Sequence, residues 1–232
     1  MSVRAGIDPA VWQVIEDYEA RAERDEQLWN SLSEQEVRQR LDEFLLPVGR
    51  ATATLMNLLI KEGEARRILE VGSSYGYSTV WLAEAARAVG GEVISLELRA
   101  AKIEYARAQL ARVRLEGRVE FRIGDALASL AQLPGPFDFV LIDLWKDQYV
   151  PVFERLYPKL APGAIIVADN MLQPESARAH AQAYRERTRR RCSRARHRAR
   201  PHRLLSSRRR PAGGHRRLAA RKRAAHHHRR YA

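Results

Sequence analysis

The sequence predicts an α/β fold: a doubly wound, mostly parallel sheet preceded by N-terminal helices. Three observations predict it. Short apolar runs at 67–71, 92–97, 119–123, 137–143 and 164–169 alternate with amphipathic stretches near 77–88, 99–114, 126–133 and 149–160. Such alternation implies βαβ units and parallel pairing. The runs are continuously apolar, as strands buried on both faces must be. Acids and glycines follow directly after the runs, at the strand ends where a doubly wound sheet takes its ligands.

The elements follow in order. Asp8-Pro9 offers an N-cap and a proline at the first helical position, ahead of Val11, Val14, Ile15 and Tyr18 at helical spacing. Ser33 and Glu36 form a capping-box pattern for a second helix, expected to end near Pro47. A third helix is expected from Arg50 to Lys61, carrying Leu55, Leu58 and Leu59. These N-terminal helices occupy 8–62, and the Rossmann-like core occupies 66–186, with one more helix from about 174.

The chain has 232 residues, 45% of them hydrophobic, which suits one domain with a sizeable core. No stretch approaches the roughly 20 apolar residues of a membrane span, so no membrane partner is expected. The start, MSVRAGIDPAVW, has no apolar signal region. Cys192 is the single cysteine, so no internal disulfide can form and a cytoplasmic setting is expected.

The net charge of +13 is unevenly spread. All 28 acidic residues and 22 of the 41 Lys and Arg lie in 1–186, while 187–232 holds 18 Arg, one Lys and no acid. The first part is therefore acidic and the tail strongly basic. The tail has almost no apolar periodicity and is expected to be disordered. Its contact with nucleic acid is expected to be nonspecific, through phosphates.

Two motifs carry chemistry. Glu70-Val71-Gly72-Ser73-Ser74-Tyr75-Gly76-Tyr77-Ser78 follows a strand and opens a helix. Its spacing is E-x-G-x-x-x-G, unlike the G-x-G-x-x-G of dinucleotide enzymes, which disfavours NAD and FAD. Glu97 ends the second strand, where a carboxylate can accept from both hydroxyls of a ribose. Asp125, in Gly124-Asp125-Ala126, stands where an adenine amino group could be read, or caps a helix, or both. The ordinary reading of each alone is a turn, an exposed acid and a cap.

The second motif joins Asp143-Leu144-Trp145-Lys146-Asp147-Gln148-Tyr149, after the fourth strand, with Asp169-Asn170 after the fifth. If those strands are neighbours, their ends lie about 4.8 Å apart. Asp143, Asp169 and Asn170 would then offer an oxygen-only donor set, suited to Mg²⁺ or Mn²⁺. Burying Trp145 beside a lysine and two acids would serve no packing purpose. Lys146, near a cation and partly desolvated, would have a depressed pKa and could act as a base. Its ordinary reading is a surface ion pair with Asp147.

Over roughly 40–185 these segments resemble the metal-dependent class I S-adenosylmethionine O-methyltransferases, the family of catechol O-methyltransferase and the caffeoyl-CoA enzymes. EVGSSYGYS resembles the family's cofactor loop, GGEVISLE its second strand, LIDLWKDQY its L-D-H-W-K-D-x-Y and VADN its L-A-D-N. Pro47-Val48-Gly49 resembles its N-V-G segment. Leu144 stands where the catechol enzyme has His.

The resemblance implies methyl transfer from S-adenosylmethionine to a hydroxyl of a small catechol-like or phenolic acceptor. Asp143, Asp169 and Asn170 would hold the metal, with Lys146 and Asp143 catalytic. Cofactor contacts would come from Val48, Gly49, Glu70, Gly72, Ser74 and Gly76. Ser78, Glu97, Asp125, Ala126 and Asp143 would supply the others. A homodimer through an apolar N-terminal helix is a further expectation.

In this family the sheet closes with two further strands, one antiparallel, and the expectation is that nothing after about 187 forms them. A reading-frame shift in GC-rich DNA would produce such an Arg-rich stretch, and would leave low stability and weak activity. The alternatives are an RNA-modifying methyltransferase, a nucleic-acid-binding protein using the tail, and a cofactor-binding protein without activity.

Overall fold

The computed structural model describes residues 6–169, 186 and 203–206. The helix expected from about 174, Asn170, and the tail apart from 203–206 lie outside the described residues, as does the Lys146 side chain.

All five expected runs are strands: β1 Arg67–Val71, β2 Glu92–Glu97, β3 Val119–Ile123, β4 Phe137–Ile142 and β5 Leu160–Ala168. The sheet order is β3-β2-β1-β4-β5-β6, with every neighbouring pair parallel. β5 starts earlier than its apolar run because Leu160 already pairs with Phe137. A register shift between Phe137 and Phe139 then absorbs the extra residues.

The sixth strand, β6 Arg203–Ser206, corrects the expectation that the tail forms none: it runs parallel to β5, with Ile165 opposite Arg203 and Ala168 opposite Ser206. Pairing of an edge strand is a matter of backbone hydrogen bonds, so an arginine-rich stretch can supply it without apolar periodicity.

Helices α4 Tyr77–Val89, α5 Ala100–Ala111, α6 Ala126–Gln132 and α7 Tyr149–Leu156 make the crossovers. Alternate strand residues face opposite layers. Ile68, Val93, Phe139 and Val167 join Trp81 and Leu110 in one core. Leu69, Ile94, Val140 and Ile166 join Leu130 and Phe153 in the other. Each such side chain contributes about 1.5–3 kcal/mol on burial.

The N-terminal region adds α1 Pro9–Ser31, α2 Glu34–Gln39 and α3 Arg50–Glu62. Asp8 caps α1 by accepting from Ala10 N at 2.8 Å, and both capping-box bonds of Ser33 and Glu36 are present. α2 ends well before Pro47, contrary to expectation. It buries only Val37, whereas the extended chain after it buries Phe44, Leu45 and Val48, so tertiary packing wins over helical continuation. α1 and α3 lie on the first core, where Val11, Ile15 and Tyr18 meet Ala53, Met56 and Ile60. A buried Asn57–Glu84 hydrogen bond of 2.6 Å, with Lys61 also on Glu84, ties α3 to α4. No helix among the described residues is long and apolar enough to cross a membrane.

Candidate active site

The loop leaving β1 is shaped by two close approaches. Gly72 has φ +91°, and a β-carbon on it would collide with the carbonyl oxygen of Asp143. Its N–H reaches Leu96 O at 3.0 Å, and Asp143 N reaches Val71 O at 2.9 Å, so the ends of β1, β2 and β4 are laced together there. Gly76 has φ +92°, and its β-carbon would lie 2.5 Å from that of Ala106 on α5.

Between the glycines, Ser74 takes the left-handed conformation at φ +48°. Its backbone N–H donates to Glu97 Oε2 at 2.8 Å, while Glu97 Oε1 accepts from Arg99 N at 3.0 Å. The Ser74 hydroxyl is 3.5 Å from Leu45 O, which brings the Leu45–Gly49 segment to the loop. There Val48 is buried, and Gly49, at φ +85°, opens α3 with free space beside it.

Glu70 lies beneath the loop. It is fully buried and accepts hydrogen bonds from Ser78 Oγ, Thr79 Oγ1 and Ser95 Oγ, each at 2.6 Å. Burial pushes its carboxyl above the usual value, against the pull of the three hydroxyls. Glu70 and Ser78, expected at the cofactor, thus spend these side-chain groups on each other and brace the loop from below. Sequence reasoning missed Thr79 and Ser95; only the fold reveals that they converge on Glu70.

Gly124 N donates to Glu97 O at 3.0 Å, which sets Asp125 beside the end of β2. Asp125 caps α6 by accepting from Ala128 N at 2.8 Å, and Ala126 is half-buried in its first turn. Leu98 and Ile123, 59% and 62% exposed, flank Glu97 and Asp125. Sequence reasoning missed this apolar surface too; the signal was a large apolar residue placed just past a strand's core, beside an acid.

β4 and β5 are neighbours, with Ile142 opposite Ala168, so Asp143 and Asp169 leave adjacent strand ends together. Asp169 N reaches Ile142 O at 3.1 Å, and Tyr149 on α7 donates its hydroxyl to Asp169 O at 2.9 Å. Asp169 is buried and Asp143 half-buried. Lys146 opens a 3-10 turn, Lys146–Gln148, just past Asp143. Trp145 is 66% exposed. The chain turns outward after β4, leaving the indole on the surface at the site's rim. Among the described residues no three His, Cys, Asp or Glu side chains group to hold a metal. The expected set has only two members of those types, Asp143 and Asp169, and its third member, Asn170, lies outside the described residues.

Comparison with known proteins identifies the family. Residues 18–197 match the family model described as O-methyltransferase. Catechol O-methyltransferase of Mycobacterium tuberculosis is 40% identical over 111 residues, 47% of this chain and 50% of that protein. The Niastella koreensis catechol O-methyltransferase is 36% identical over 122 residues, 51% of this chain and 55% of that one. The aligned part thus spans about half the length of these curated relatives. The Bacillus cereus O-methyltransferase, solved with SAH, superposes with TM-score 0.59 at 28% identity over 74% of this chain and 87% of that one. TomG of Streptomyces achromogenes, an O-methyltransferase solved with SAM, gives TM-score 0.57 at 26% identity over 74% and 86%. Matched over most of its length by the family model, and sharing the fold of these solved structures, the chain belongs to the O-methyltransferase family.

Proposed function

We propose that the chain transfers the methyl group of S-adenosylmethionine to a hydroxyl of a small catechol-like or phenolic acceptor, assisted by Mg²⁺ or Mn²⁺. The observation that carries this reading is the Ser74–Glu97 bond at the same sheet edge as Asp143 and Asp169. That edge offers a ribose-type carboxylate, a glycine-shaped loop and a pair of oxygen donors.

Glu97 is the group for the ribose hydroxyls, and Asp125 with Leu98 and Ile123 suits a flat, partly polar base. Gly72, Ser74 and Gly76 keep the loop backbone open to the rest of the cofactor, and Val48 and Gly49 form its far wall. S-adenosylmethionine, when bound, supplies an electrophilic methyl carbon on a sulfonium.

The donor chemistry fits a hard cation. Asp143 and Asp169 are carboxylates on adjacent strand ends, Asn170 adds an amide, and no thiolate or imidazole belongs to the set. The cation, when bound, supplies Lewis acidity that makes an acceptor hydroxyl easier to deprotonate. In this reading Lys146 takes the hydroxyl proton. The half-exposed rim with Trp145 suits a flat aromatic acceptor.

The decisive experiment is a methyl-transfer assay with the purified chain over a panel of vicinal diols and monophenols, with and without chelator. Chelator-sensitive methylation of a catechol supports the reading. Absence of methylation across the panel, in a chain that binds S-adenosylhomocysteine, overturns the acceptor class.

A further inference from the structure

Three pieces of the molecule meet on one guanidinium. Arg21, on α1, places its Cζ 3.9 Å from the ring centroid of Tyr75 and 4.7 Å from that of Tyr105. Tyr75 belongs to the glycine loop, and Tyr105 to α5. The same guanidinium donates from Nη2 to Glu43 O at 3.1 Å and faces Asp25 Oδ2 at 3.6 Å. Asp25 in turn accepts from Leu45 N at 2.9 Å. One turn away on α1, Tyr18 donates its hydroxyl to Tyr75 O at 2.7 Å, and Tyr75 donates its own to Asp42 O at 3.0 Å.

The loop and the 42–45 segment are far apart in sequence; where they meet, the loop is irregular and the segment is a short 3-10 turn, Leu41–Glu43, that runs into extended chain. Both end at Arg21 or at its ion-pair partner. The two rings stand edge to face, with centroids 5.5 Å apart, and the cation lies in the corner they form, against both. The Arg21 side chain is only 19% exposed, so the cation acts where water screens it weakly, the setting in which cation–π attraction is strongest.

We propose that Arg21 is a positioning residue for the cofactor: a latch that holds the Ser74–Tyr75 loop against the Leu45–Gly49 wall. It touches neither cofactor nor acceptor. The inference rests on the reading of this loop as the S-adenosylmethionine site. Losing the latch lets the loop sample conformations that must be reordered on binding, so the cost falls on affinity and not on the chemical step. Lysine cannot replace arginine fully, because a point charge lacks the flat fork that lies against two rings while reaching a carbonyl.

The test is calorimetry with S-adenosylhomocysteine and steady-state kinetics on the wild-type chain, Arg21→Ala, Arg21→Lys and Tyr105→Leu. Arg21→Ala is expected to weaken binding about tenfold and raise the KM for S-adenosylmethionine in step, with kcat nearly unchanged. Arg21→Lys should recover part of that loss. Tyr105→Leu, which removes one face of the clamp from another helix, should weaken binding in the same direction and serves if Arg21→Ala does not fold. Wild-type affinity in folded Arg21 or Tyr105 variants overturns the inference, as does a fall in kcat as large as the rise in KM. If the wild-type chain itself does not bind S-adenosylhomocysteine, the reading of the loop fails and the latch with it.

Discussion

The backbone nitrogen of Ser74 and the carboxylate of Glu97 are joined at 2.8 Å across the ends of β1 and β2. Glu97 thus shapes the glycine loop before any ligand arrives, and the same carboxylate is the group proposed for the ribose. Glu97→Gln keeps the size of the side chain, removes the charge and leaves one of the two backbone N–H groups, of Ser74 or of Arg99, without its acceptor. A hydrogen bond to a charged group contributes about 1.5–3 kcal/mol, so the affinity for S-adenosylhomocysteine should fall roughly 10- to 100-fold. Calorimetry measures it; unaltered binding by the Gln variant would remove Glu97 from the cofactor site.

Gly72 should tolerate no side chain. Alanine there would take a positive φ and press its methyl group into the Asp143 carbonyl. Backbone strain of this kind costs about 1–3 kcal/mol, and the clash adds to it. Gly72→Ala should lower the denaturant midpoint and, because the displaced carbonyl belongs to Asp143, also impair methyl transfer. Gly49→Ala is the control: it too has a positive φ, but its β-carbon would meet open space, so its cost should be smaller. Equal midpoint losses for the two variants would show that strain alone, without the approach to β4, explains Gly72.

Most of the sheet was legible in the sequence because its strands are buried on both faces and therefore apolar throughout. β1 and β2 match the expected runs residue for residue, and so does β3. The site was legible where a residue type alone points to a role, as with Gly72 at a tight approach or Glu97 at a strand end. The rest was written in distances between elements. Nothing local tells that Ser95 and Thr79 meet on Glu70, that Arg21 lies against Tyr75 and Tyr105, or that Trp145 turns outward. The early end of α2 is a similar case, since Phe44 and Leu45 find burial only in the assembled core. The strand at Arg203–Ser206 escaped because it is only four residues long, and its two leucines are too short an apolar run to show a strand period.

Glu70 should make stability depend on pH. Burial raises its carboxyl pKa above the ordinary value of 4.5, so the folded chain keeps the proton at pH values where the unfolded chain has lost it. The contribution of this group to stability is complete below about 4.5 and is lost as pH rises through the folded value. Glu70→Gln, which never ionises, should gain stability relative to wild type as pH rises over that window, and the gain should level off above it. Denaturant midpoints of both proteins from pH 4 to 8 check this. A difference independent of pH would mean that the three hydroxyls offset burial in full.

The two strand-end acids and Lys146 should have separable effects. In the proposed chemistry Asp143 and Asp169 serve the cation and Lys146 the proton, while Glu97 and the loop serve the cofactor. Asp169→Asn should leave S-adenosylhomocysteine binding near wild type, because Asp169 lies at the end of β5, two strands over from the β1 loop that carries Ser74. It should lower methyl transfer by about 100-fold or more, an effect on the scale of removing one preorganised electrostatic group, and should raise the Mg²⁺ concentration needed for half-maximal rate. Lys146→Met should lower kcat by about 10²- to 10⁴-fold, as loss of a general base does. It should leave the Mg²⁺ requirement as in wild type. If Lys146→Met loses metal dependence together with rate, the lysine supports the cation site and is not the base. If chelator leaves the wild-type rate unchanged, the cation has no part in the reaction, and Asp143 and Asp169 must be held at adjacent strand ends for another reason.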